Sequence, residues 1–219
     1  IKRNGLLAAD AGTTFASVTA GVVDDIAENR CLQIIELNAK TVQTYTKDNV
    51  APSLTSFTFD VTTGDITLLF SEVMSVDDFD LSAAVIQGTN TASGTTSPAL
   101  AGTTVTTAAD TNIVLRLTVD SANSVRKLAD VGTLTTDTFL SFTSGFAKDV
   151  DGVPISAQAP TNTVQGTTVT PDATPPLATT FDINLNDGTL VLHFEQPVNC
   201  NTFDATKITM QECNNAATC

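Results

Sequence analysis

Few residues in this sequence could do chemistry: four cysteines, one histidine and several closely spaced aspartates. Cys31, Cys200, Cys213 and Cys219 show no C-x-x-C spacing. A single histidine, His193, is too few for an ordinary zinc site. The chemistry open to the thiols is disulfide formation, which implies an oxidising compartment. Pairing could be local, as Cys213 with Cys219, or between distant segments. In "KDVDGVP", Asp149 and Asp151 precede Gly152 as in the opening of a calcium loop, with Asp48 or Asp172 as a further oxygen ligand. The same residues also read as an Asp-Gly hairpin turn. No Glu closes the loop at calcium-loop spacing, so neither a metal nor a cofactor is expected.

Catalytic signatures are missing. There is no G-x-S-x-G, no Gly-rich phosphate loop and no H-E-x-x-H. Asp24-Asp25 and Asp77-Asp78 read as solvated turns, and His193 as a surface residue alternating with Leu192 and Phe194. The expectation is a protein that is not an enzyme. No Asn-x-Ser/Thr acceptor occurs either. O-linked glycan is open to Thr95, Thr96, Ser97, Thr103 and Thr104 around Pro98, and to Thr161 and Thr163 after Pro160. The plainer reading of these hydroxyls is as strand and loop residues.

The surrounding composition says what must position these groups. The chain has 39 threonines, 42% hydrophobic residues and only 16% charged ones. Threonine is β-branched and suits a half-buried pleated surface, so an all-β chain is expected. The net charge of −14 disfavours nucleic acid and anionic membrane surfaces. No apolar run approaches the roughly 20 residues of a membrane span. The opening "IKRNGLLAAD" lacks the apolar centre of a signal peptide, and the chain reads as a processed protein or a slice of a longer one.

The strongest pattern is a repeat. "DNVAPSLTSFTFDVTTGDITLLFSE" from Asp48 recurs from Asp172 as "DATPPLATTFDINLNDGTLVLHFEQ". The shift of 124 residues holds without a gap: 21 of the 95 overlapping pairs are identical, among them Phe15/Phe139, Gly64/Gly188 and Phe79/Phe203. A constant offset across Gly, Pro and Phe marks tandem units. Residues 50–173 form one complete unit, 1–49 match the back of a unit, and 174–219 match the front.

Within the unit, Phe57, Phe59 and Val61 alternate with polar residues, as do Ile66, Leu68 and Phe70 after the turn "TTGD". Ile113, Leu115, Leu117 and Val119 predict a further strand. "DSANSVRKLAD" predicts one short helix capped by Asp120 or Ser121. "TFLSFTSGFAKDVDGVPI" reads as strand, turn, strand, and "TNTVQGTTVT" as a closing strand. Residues 88–111 read as a long Thr/Ser/Gly loop. Short strands, regular turns and Pro-marked joins suggest an immunoglobulin-like β-sandwich in tandem.

A family resemblance follows from "ITLLFSEVMSVDDFD" and "LVLHFEQPVNCNTFD", which resemble the "FSEPV" segment of bacterial Ig-like repeats of the surface-layer type. "TSGFAKDVDGVPI" and "TAGVVDDIAENRCL" resemble the "D-x-a-G-N" hairpin of those repeats. The chain also resembles tandem repeats of long secreted proteins of aquatic microbes and algae, including flagellar-hair-like appendages. The resemblance implies an extracellular or cell-surface location and a structural role.

None of the cysteines lies in the complete unit. A front half that leaves strand edges open is a template for another chain, and a back half can supply strands to it. Such contacts are head-to-tail and can grow a filament of identical copies, in which Cys31 could meet Cys200, Cys213 or Cys219. The alternatives are an excerpt of a longer array, and a cell-surface adhesin or stalk that binds glycans or a partner through its Thr-rich loops.

Overall fold

A computed structural model describes residues 10–212. They fall into two units divided between Ala173 and Thr174.

The first unit opens with a loosely paired ribbon. Strand β1 (Phe15–Ala16) pairs antiparallel with β2 (Lys40–Thr41). Isolated bridges Val18↔Ile34 and Asp24↔Arg30 extend the hairpin between them. No residue from 10 to 49 is buried.

A sheet follows whose strands come from apolar alternation. Strands β3 (Leu54–Asp60) and β4 (Asp65–Met74) form a hairpin through Gly64, whose φ of +76° suits a residue without a Cβ. Then come β5 (Ala84–Gln87), β6 (Gly102–Thr104) and β7 (Asp110–Leu117). Helix α1 (Val119–Arg126) is followed by β8 (Phe139–Phe142) and β9 (Val164–Thr170). The seven strands make one sheet in the order β5-β8-β9-β3-β4-β7-β6. Strand β9 pairs with β8 at Val164 and Gln165, then runs parallel to β3 from Gly166 onward. That change of partner lets the sheet curl over its own apolar face. Phe57, Phe59, Ile66 and Leu68 from the middle strands and Ile86, Leu140 and Phe142 from the β5–β8 end join a single buried core. The all-β expectation holds, with one helix.

Aromatic side chains link β4 to β8 across this core. Phe70, Phe79, Phe146 and Phe142 form a chain of ring contacts with centroid separations of 5.9, 5.6 and 4.9 Å. Each such pair contributes about 0.5–1.5 kcal/mol beyond its burial. Helix α1 is tied down by Arg126, whose Nη2 donates to the carbonyls of Val61 and Thr62, both at 2.8 Å.

Three sequence expectations change. The helix cap is Thr118, whose Oγ1 accepts from the Ser121 N–H, and not Asp120 or Ser121. Val119 belongs to the helix and is exposed, so β7 ends at Leu117. The Thr-rich stretch 88–111 is not all loop: β6 lies inside it and pairs with β7, where β-branched Thr103 and Thr104 suit an edge strand.

The second unit is a hairpin, β10 (Ala178–Asn184) with β11 (Thr189–Phe194), turned through Gly188, and then short 3-10 turns. No residue from 174 to 212 is buried.

Candidate functional site

The second unit repeats the backbone of the β3–β4 hairpin at an offset of 124. Phe57↔Leu68 becomes Phe181↔Leu192, and Phe59↔Ile66 becomes Ile183↔Leu190. The irregularity between Leu54 and Ser56 recurs between Ala178 and Thr180. The 3-10 turn Leu81–Ala83, capped by Asp80, recurs as Ala205–Lys207, capped by Asp204.

What differs is burial. Phe57, Phe59 and Phe70 are 1%, 1% and 3% exposed; their counterparts Phe181, Ile183 and Phe194 are 55%, 50% and 36% exposed. Phe203, the counterpart of the ring-cluster residue Phe79, is 61% exposed. Leu190, Leu192, Phe194, Val198, Phe203 and Ile208 line an open groove of about 970 Å³ on this face. The matching positions of the central sheet are covered by β8, β9 and the segment around Phe146 and Ile155.

The N-terminal ribbon repeats the backbone of that covering segment. Phe139↔Gln165 and Leu140↔Val164 become Phe15↔Thr41 and Ala16↔Lys40. The bridges Phe142↔Gln158 and Lys148↔Pro154 become Val18↔Ile34 and Asp24↔Arg30. The tight turn persists too, with Glu28 (φ +64°) at the place of Gly152 (φ +83°). Here again the apolar residues lie open: Phe15, Val22 and Val23 are exposed, while Phe146 and Ala147 are buried. Among the described residues, the chain thus carries a front hairpin whose apolar face is open and a covering-type segment none of whose residues is buried.

The other expected site residues scatter. Cys31 is half-buried and Cys200 exposed, and both are free thiols. Among the described residues no disulfide is seen, and Cys31 and Cys200 belong to different units. Cys213 and Cys219 lie outside the described residues. Thr95, Thr96, Thr103 and Thr161 are exposed, and Thr104 and Thr163 are half-buried. Ser97 is buried, and its Oγ accepts from the Ile86 N–H and donates to the Pro98 carbonyl. Exposed His193 meets Asp182 across the β10–β11 pair, with Nε2 2.7 Å from Oδ2.

The aspartates converge in part. Asp149 and Asp151 come together with Asp48, one carboxylate oxygen of each lying within 4.8 Å of the others. Asp172 instead faces Arg126, at 3.6 Å. In the first copy of the turn, the Asn29 side-chain amide and the backbone N–H groups of Asn29 and Ala27 hold the Asp25 carboxyl below its ordinary range.

No protein-family model matches the chain, and no curated protein matches it. Among solved structures, the crystal structure of the S-layer protein rSbsC(31-844) is 12% identical with a TM-score of 0.33, over 63% of this chain and 16% of that one. The N-terminal part of the bacterial S-layer protein SbsC is 10% identical with a TM-score of 0.31, over 66% of this chain and 31% of that one. Likeness at this level carries no argument about fold or role. No helix among the described residues is long and apolar enough to cross a membrane.

Proposed function

We propose that this chain is a structural subunit of an extracellular filament, made of Ig-like β-sandwich repeats and joined head-to-tail by strand complementation. The observation that carries this reading is the open face of the second unit. Its strands pair as β3 and β4 do, yet Phe181, Ile183 and Phe194 are left in water. Covering the part of one such side chain that is still open stabilises by about 1 kcal/mol, so the face as a whole has a tendency to acquire a lid.

The occupant we assign is residues 10–49 of a second copy. Those residues have the pairing pattern of the segment that covers the central sheet. Transferring the central registers gives the joint residue by residue. Phe57↔Gly166 and Phe59↔Val169 translate to Phe181 beside Val42 and Ile183 beside Tyr45. Val85↔Ser141 and Ile86↔Leu140 translate to Thr209 beside Ser17 and Met210 beside Ala16. In this joint Cys31 takes the place of Ile155, which is 1% exposed, where its side chain packs as a small apolar group.

The joint is heterologous, so it propagates into a filament unless its rotation closes a ring. The role is structural and not enzymatic, needs no cofactor, and takes other copies of the chain as its partners. Exposed Thr95, Thr96, Thr103 and Thr161 are the proposed carriers of O-linked sugar. Sedimentation velocity and negative-stain microscopy test the reading. Wild-type protein should grow with concentration into uniform fibres, and Ile183→Asp should remain monomeric. Monomers at every concentration would refute it, and beads on short stalks would favour the adhesin alternative.

A further inference from the structure

The turn around Asp149 occurs twice in this chain, and comparing the copies isolates an unsatisfied atom. In the first copy, Asp25 Oδ1 accepts from the backbone N–H groups of Ala27 and Asn29, both at 2.9 Å. Its Oδ2 accepts from the Asn29 side-chain amide at 3.1 Å. In the second copy, Asp149 Oδ1 accepts from Asp151 N–H at 2.9 Å and Val153 N–H at 2.8 Å. Here, however, Val153 stands where the first copy has Asn29 and can offer no amide. Asp149 is 1% exposed, and its Oδ2 is buried with no hydrogen-bond partner.

A buried carboxylate oxygen without a donor costs more than almost any other polar atom. The residues around it supply no relief as they stand. Asp151, where the first copy has Ala27, and Asp48 bring two more carboxylates, the three groups offering oxygens within 4.8 Å of one another. Three like charges at that separation repel strongly in a partly buried setting.

We propose that Asp48, Asp149 and Asp151 hold a calcium ion. A divalent cation supplies the missing partner of Asp149 Oδ2 and removes the repulsion in one step. Oxygen-only ligands select a hard cation, and an irregular set drawn from a chain segment and a turn suits calcium better than the octahedral demands of magnesium. Water and backbone carbonyls would complete the shell. The ion would clip the segment entering β3 to the turn at Asp149–Val153, and so fix where the N-terminal ribbon leaves the central sheet. The site is independent of the assembly proposed above.

The two copies also supply the test. Asp151→Ala restores the first copy's residue and removes a ligand. Val153→Asn restores the amide that satisfies the second oxygen. In isothermal titration of calcium into the chelator-treated full chain, we expect about one ion per chain, and binding weakened by about tenfold or more in both variants. Calcium should raise the melting temperature of the wild type and leave that of Val153→Asn unchanged, while Val153→Asn should melt higher than the wild type in chelator. No calcium uptake by the wild type at millimolar concentration, or uptake undiminished in both variants, would overturn the assignment.

Discussion

Phe59 and Ile183 occupy equivalent register positions 124 residues apart, yet one is 1% exposed and the other 50%. Their energetics must therefore differ. Phe59→Ala should lower the stability of the central sheet by about 3–5 kcal/mol in denaturant melts, the cost of a cavity in a packed core. Ile183→Ala removes a side chain already in water, and should leave the unassembled chain's stability within about 0.5 kcal/mol of wild type. At the same scale, Asp65 faces Arg116, with Nε 2.7 Å from Oδ1 and Nη2 2.8 Å from Oδ2. The Arg116 hydrogen bonds hold the Asp65 carboxyl below its ordinary value of 3.8. A depressed carboxylate contributes stability above its unfolded value, and that contribution disappears as pH falls through the folded one. Arg116→Gln should thus unfold at lower denaturant than wild type at neutral pH. The gap should narrow below pH 3.8 and close once Asp65 is protonated in both proteins. A gap that persisted unchanged in acid would contradict this account of the pair.

At the scale of elements, the sequence was most legible where one face of a strand is buried. Phe57/Phe59 and Ile66/Leu68/Phe70 alternate because β3 and β4 each turn one side to the core, and the repeat offset carried the same reading to β10 and β11. Strand β6 was not legible, because Gly102–Thr104 is a short edge strand whose residues are half-buried or exposed and show no alternation of apolar side chains. The helix start was displaced because Val119 extends the apolar alternation of β7, although Thr118 holds the capping position. Removing that cap with Thr118→Ala should cost about 1 kcal/mol in the melt of the central sheet. Glu28 makes the opposite case. Its φ of +64° is a conformation that favours glycine, and Gly152 stands there in the second copy. Glu28→Gly should relax the first turn by about 1 kcal/mol, read as slower amide exchange from Asp25 to Cys31. The candidate site was half legible. The Asp149/Asp151 spacing is visible in one dimension, whereas the choice between Asp48 and Asp172 is made only by the fold, which brings Asp48 to the turn and sets Asp172 against Arg126, a proximity that no local pattern encodes.

At the scale of the whole molecule, two segments of one sequence repeat the two halves of the central unit. Residues 10–49 and 174–212 each reproduce the pairing of half of the central unit, and neither contains a buried residue. In the central unit the corresponding halves bury each other through β3–β9, β5–β8 and the aromatic chain from Phe70 to Phe142. The physical expectation is that copies do for one another what the central unit does for itself. Cross-linking at the transferred register tests this most directly. In a background with the four native cysteines replaced, Ser17→Cys and Thr209→Cys should form disulfides between copies under mild oxidation. A ladder of covalent oligomers should result, and it should vanish when Ile183→Asp is added. Monomer alone, or a ladder indifferent to Ile183→Asp, would contradict the account.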